Sequence, residues 1–153
     1  MKRKRIIRIH ILASIAALLL ICTFFTASLL AELDSDIYVI RNVKRGILYA
    51  IPLLLVTMPV LGISGLKLAG NSRHSLVLLK KRRMKFIALN GGILIFLAIF
   101  LFYWSHYHKI DGIYLICQII ELLLGAVNLS LIGMNIKDGW TLSGKKKLKK
   151  ILS

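Results

Sequence analysis

Four apolar runs divide the chain, at residues 11–31, 47–66, 86–104 and 113–134, each bounded by charged or turn-forming positions. A helix of about 20 residues is what a hydrocarbon core of about 30 Å demands. The pattern therefore predicts an all-α membrane protein, one transmembrane domain over residues 1–153 with four crossings. The first run follows Lys2, Arg3, Lys4, Arg5 and Arg8. It is too long for a signal-peptide core, and Leu29-Leu30-Ala31 is a poor cleavage site, so it is expected to stay as the first helix. Ala13 and Ala17 form a small-xxx-small pair that lets a neighbouring helix come close.

The segments between the runs are less uniform. Residues 32–46 balance Glu32, Asp34 and Asp36 against Arg41, Lys44 and Arg45. Ser35 reads as an N-cap, Ile37, Ile40 and Val43 follow at helical spacing, and Gly46 suits a helix end. This is either a short helix lying in the interface or the first turns of a longer second helix. In the second run Pro52 and Pro59 fall on one helix face, and each removes a backbone donor, so a kink is expected there. The basic loop 67–85 holds seven Lys and Arg. Asn71 or Ser72 can cap a helix that continues unbroken into the third run, whose far end carries Tyr103 and Trp104 as an interfacial belt. A tight turn with His106 and His108 leads to the fourth run, and a lysine-rich tail fills 135–153.

Composition supports membrane insertion. Of 153 residues 58% are hydrophobic, and the mean hydropathy is +0.77, outside the range of soluble domains. The formal charge of +16 would suggest nucleic acid in a soluble chain. Here the bases flank apolar runs with no aromatics interleaved for stacking on bases, so no nucleic-acid partner is expected. Eighteen of the 22 Lys and Arg belong to the amino end, the second loop and the tail. By the positive-inside rule both termini are cytoplasmic, beside anionic lipid.

Candidate chemistry is concentrated in the fourth run. Gln118, Glu121, Gly125, Asn128, Ile132 and Asn135 recur at three- and four-residue steps and share one helix face. Glu121 is the only acid within a crossing and lies about 12 Å below its outer boundary at helical rise. With no Lys or Arg assigned to that depth, its carboxyl is expected to be neutral, with Thr23 and Thr57 as candidate hydrogen-bond donors. Asn90 enters at a depth that allows amide contacts with Asn128 and Asn135. Such polar groups either hold helices in register or mark a proton or cation path.

Other chemistry finds little support. Cys22 and Cys117 form no CxxC and read as small packing residues. His106 and His108 are too few ligands for a metal centre, and the four histidines do not face one another at one depth as a haem would need. No catalytic triad, phosphate loop or HExxH helix occurs, so neither a catalytic site nor a cofactor is expected.

The runs Lys80-Lys81-Arg82-Arg83-Met84-Lys85-Phe86-Ile87-Ala88-Leu89-Asn90-Gly91, Glu121-Leu122-Leu123-Leu124-Gly125-Ala126-Val127-Asn128-Leu129 and Gly133-Met134-Asn135-Ile136-Lys137-Asp138-Gly139 resemble small uncharacterised bacterial inner-membrane proteins. The resemblance covers roughly the second half of the chain. It implies a four-helix bacterial inner-membrane protein and brings no activity with it. The leading expectation is a non-enzymatic accessory or assembly subunit that docks other membrane helices, or copies of itself, through its small and polar faces. The competing expectation is a small proton- or cation-coupled transporter, working as a homo-oligomer, with Glu121 as coupling acid.

Overall fold

A computed structural model describes the backbone of residues 2–151 and the side chains of residues 3–142 and 144. The side chains of Lys145, Lys146, Lys147, Lys149 and Lys150 lie outside the described residues. Four helices follow in order: α1 (Lys2–Asp34), α2 (Ile37–Ala69), α3 (Ser75–Tyr107) and α4 (Gly112–Ile151). All four are long and apolar enough to cross a membrane. At 33 to 40 residues they exceed the apolar runs. Thirty-three residues make a rod of about 50 Å, so their ends extend past a hydrocarbon core of about 30 Å.

The extra length comes from the connecting segments. Of the two readings of residues 32–46, the longer second helix holds: α1 runs through Asp34, two residues reverse the chain, and α2 begins at Ile37. Ser35, expected as an N-cap, instead takes a left-handed conformation with φ 58° and ends α1. Asp36 is the cap, its carboxylate accepting from the Tyr38 N–H at 2.8 Å. Gly46 lies inside α2, where strong helix formers on either side carry it. The basic loop 67–85 shrinks to a turn of five residues, and its remaining positions are helical. The unbroken helix expected into the third run is present, but His74 rather than Asn71 or Ser72 caps it. The segment assigned as a tail continues α4. Pro52 and Pro59 both sit within α2 on exposed positions, and the helix is continuous through them.

Helices adjacent in sequence pack side by side and α4 closes the ring against α1, giving an up-down-up-down bundle. Two apolar layers take one side chain from each helix. Ala31, Ile40, Leu101 and Tyr114 form the layer nearest the turns at 35–36 and 108–111. Ile21, Leu54, Ile87 and Ile132 form the layer towards the other end, which holds the turn 70–74 and the start of α1. The outer surface of the bundle is covered with exposed Leu, Ile, Val and Phe. In water such a surface would be a liability; against lipid tails it is the expected exterior.

Candidate functional site

The buried stripe of α2 reads Ile40, Lys44, Ile47, Ile51, Leu54, at alternating four- and three-residue steps. A lysine therefore occupies a core position. The matching stripe of α4 reads Tyr114, Gln118, Glu121, Gly125, Asn128, Ile132. α2 and α4 lie on a diagonal of the bundle, and the four-carbon stem of Lys44 spans it. Its Nζ meets Glu121 Oε2 at 2.6 Å, and the two side chains are 1% and 11% exposed. From α1, Ser28 Oγ accepts a second hydrogen bond from Lys44 Nζ at 3.3 Å. Three helices thus meet at one buried ammonium group.

This overturns the expectation that no base reaches Glu121. A cation does reach its depth, because Lys44 belongs to the buried face of α2 and not to a loop. The threonines expected as donors do other work. Thr57 Oγ1 donates back to Leu53 and Leu54 carbonyls, and Thr23 is exposed.

The polar positions form a column along α4. At the turn end Tyr114 donates its hydroxyl to Glu32 Oε1 of α1 at 2.7 Å, and Arg41 Nε donates to the Ser105 carbonyl of α3 at 2.6 Å. One turn further, Gln118 is 2% exposed and neither end of its carboxamide has a protein partner. Below the ion pair, Gly125 lets the Phe25 ring lie against α4: an added Cβ would sit 3.1 Å from that ring. Asn90 does not join an amide cluster with Asn128 and Asn135. Its Nδ2 donates to the Leu124 carbonyl at 2.8 Å, pinning α3 to α4, while the Oδ1 atoms of Asn128 and Asn135 are buried without a protein partner. At the far end Arg83 pairs with Asp138 and His10 Nδ1 lies 3.0 Å from Ser64 Oγ.

The ion pair is enclosed along the bundle axis. The Ala31–Ile40–Leu101–Tyr114 layer lies on one side and the Ile21–Leu54–Ile87–Ile132 layer on the other. Between those layers Ile47, Ile51 and Ala98 form a third apolar cluster. Removing one member of such a pair leaves an uncompensated charge in an apolar surround, whereas removing both together costs little.

The histidine turn is organised as a cap. Asp111 Oδ1 accepts from the Ile113 and Tyr114 N–H groups and from Trp104 Nε1. His108 stacks on Trp104 at 4.7 Å, while His106 Nδ1 lies 2.9 Å from the Phe102 carbonyl. The two rings serve different neighbours. Among the described residues no group of three or more His, Cys, Asp or Glu is gathered as a metal would require. Cys22 and Cys117 are free thiols.

No family model, no curated protein and no solved structure matches the chain. What stands is a class: an integral membrane protein built as a four-helix bundle around a buried ion pair.

Proposed function

We propose that the protein is a non-enzymatic accessory or assembly subunit of a bacterial inner membrane, with both termini cytoplasmic. The observation that supports it best is the enclosure of Lys44 and Glu121 between two four-residue apolar layers. Placed there, the charges favour a single register of the four helices. The polar face once expected to meet partner helices is spent inside the bundle, so docking must use the outer surface. On α4 that surface includes Ala126, Ser130 and Gly133, exposed and spaced at four and three residues. Small residues so spaced let another helix approach closely. Bends in α2 at Pro52 and Pro59 belong to this proposal, as does the membrane assignment, which rests on the resemblance of the second half and the asymmetry of the bases.

Native mass spectrometry after gentle extraction tests this. An added Cβ at Gly133 meets nothing within 4 Å. The double substitution Ser130→Leu/Gly133→Leu is therefore expected to leave thermal stability unchanged while the higher-mass species of the wild type disappears. A wild type that is a single chain under all extraction conditions, or a variant that keeps the complex, removes the docking reading. Topology is checked separately. A reporter active only in the cytoplasm is expected to work when fused after Arg5 or within residues 73–81, and to fail at Asp34 or Lys109. Activity at Lys109 overturns the orientation.

Coupled transport is the second reading, with Glu121 as the coupling acid in a homo-oligomer. The buried and unpartnered carboxamide of Gln118, one turn from Glu121, favours it, since such groups commonly hold internal water.

A further inference from the structure

The six acidic residues are distributed unevenly. Glu32, Asp34, Asp36, Asp111 and Glu121 lie in the half of the bundle with the turns at 35–36 and 108–111, and Asp138 alone lies towards the other end. Asp138 is already engaged by Arg83. Among the described residues, that end therefore presents a crowd of cations with no further carboxylate to neutralise them. Within it a cavity of about 500 Å³ opens between the start of α1 and the end of α2, lined by Arg3, Ile6, Lys67, Leu68, Ala69 and Gly70. Arg3 and Lys67 are exposed, and neither enters an ion pair among the described residues. The C-terminal carbonyls of a helix would ordinarily repel an anion. Here Lys81 Nζ donates to the Gly70 carbonyl at 2.7 Å, covering one of them and fixing the wall of the cavity.

We propose that this cavity binds the phosphate of an anionic phospholipid, with Arg3 and Lys67 holding the headgroup and Ile6, Leu68 and Ala69 lying against the lipid's apolar part. Cations beside apolar side chains, at the ends of two helices long and apolar enough to cross a membrane, match the chemistry of a phospholipid. A guanidinium offers two parallel donors to phosphate oxygens, and the ammonium adds a mobile point charge. The proposal rests on the chain crossing a membrane and is independent of whether it acts as a subunit or a transporter.

The test uses the full chain in mild detergent, titrated with phosphatidylglycerol or phosphatidylcholine of identical acyl chains and observed by native mass spectrometry. Wild type is expected to retain a discrete phosphatidylglycerol at collision energies that strip phosphatidylcholine. Arg3→Gln/Lys67→Gln is expected to weaken that retention roughly thirtyfold, because two charge-assisted contacts to one phosphate are lost. Arg5→Gln/Lys85→Gln removes the same charge from exposed positions outside the cavity and is expected to bind as wild type does. Equal losses in the two double variants would mean diffuse attraction and overturn the site. So would displacement of the lipid by inorganic phosphate, which would make the ligand a soluble anion. Circular dichroism and unfolding in phosphatidylcholine micelles confirm that each variant is folded, and the wild-type lipid preference stands as a test without any variant.

Discussion

Glu121→Leu is expected to unfold far more readily than wild type, and adding Lys44→Met to the same chain is expected to recover most of the loss. The single substitution leaves the Lys44 ammonium group 1% exposed, with only Ser28 Oγ as a partner. Breaking a buried pair from one side typically costs about 3–5 kcal/mol, whereas replacing both members by apolar groups of similar volume is often neutral or favourable. Both leucine and methionine are apolar and close in volume to the side chains they replace. Glu121→Gln should fall between: the carboxamide still accepts from Lys44 but supplies no counter-charge. Were hydrogen bonding alone to hold the site, the glutamine would be almost silent. Unfolding of wild type, both singles and the double in one detergent gives the coupling directly. Strictly additive losses would mean that the two charges do not stabilise one another.

The apolar runs made four helices legible because lipid imposes length and hydrophobicity together, and neither depends on which helices are neighbours. The polar face of α4 was legible for a similar reason, its period being that of a helix. Helix ends were harder. Asp36 outcompeted Ser35 as a cap because a carboxylate one residue later could reach the Tyr38 N–H, and the chain then needed only two residues to turn. With α2 starting at Ile37, the longer of the two helices the segment allowed, Lys44 falls in its buried stripe. A signal existed: Ile40, Ile47, Ile51 and Leu54 mark a stripe on which Lys44 falls, and reading the stripe across the assumed loop boundary would have found the partner of Glu121. The Tyr114–Glu32 and Arg83–Asp138 contacts had no such signal. They join residues 82 and 55 positions apart, and only the pairing of helices around the ring brings them together.

Exchanging the two charges, Lys44→Glu with Glu121→Lys, separates the two functional readings more sharply than any deletion. Each single reversal should fail to fold or assemble, because it sets two like charges in one enclosed layer. At about 4 Å and an effective dielectric constant near 20, such a pair repels by about 4 kcal/mol, and the attraction of the native pair is lost as well. The double exchange restores opposite charges across the same diagonal and keeps the net charge of the chain. The hydroxyl of Ser28, now facing a carboxylate, can donate where it formerly accepted. A structural pair has no preference for which helix holds which sign, so stability should return to within about 1 kcal/mol of wild type, the worth of one imperfect hydrogen bond. A coupling acid has such a preference, since its carboxyl must exchange protons from a fixed position on α4. The measurement pairs unfolding in detergent with the decay of an imposed pH gradient in proteoliposomes. On the subunit reading, wild-type and exchanged proteins both hold the gradient as well as protein-free vesicles do. A wild-type proton flux that vanishes in a stably folded exchange variant would sink that reading and make Glu121 the working group of a transporter.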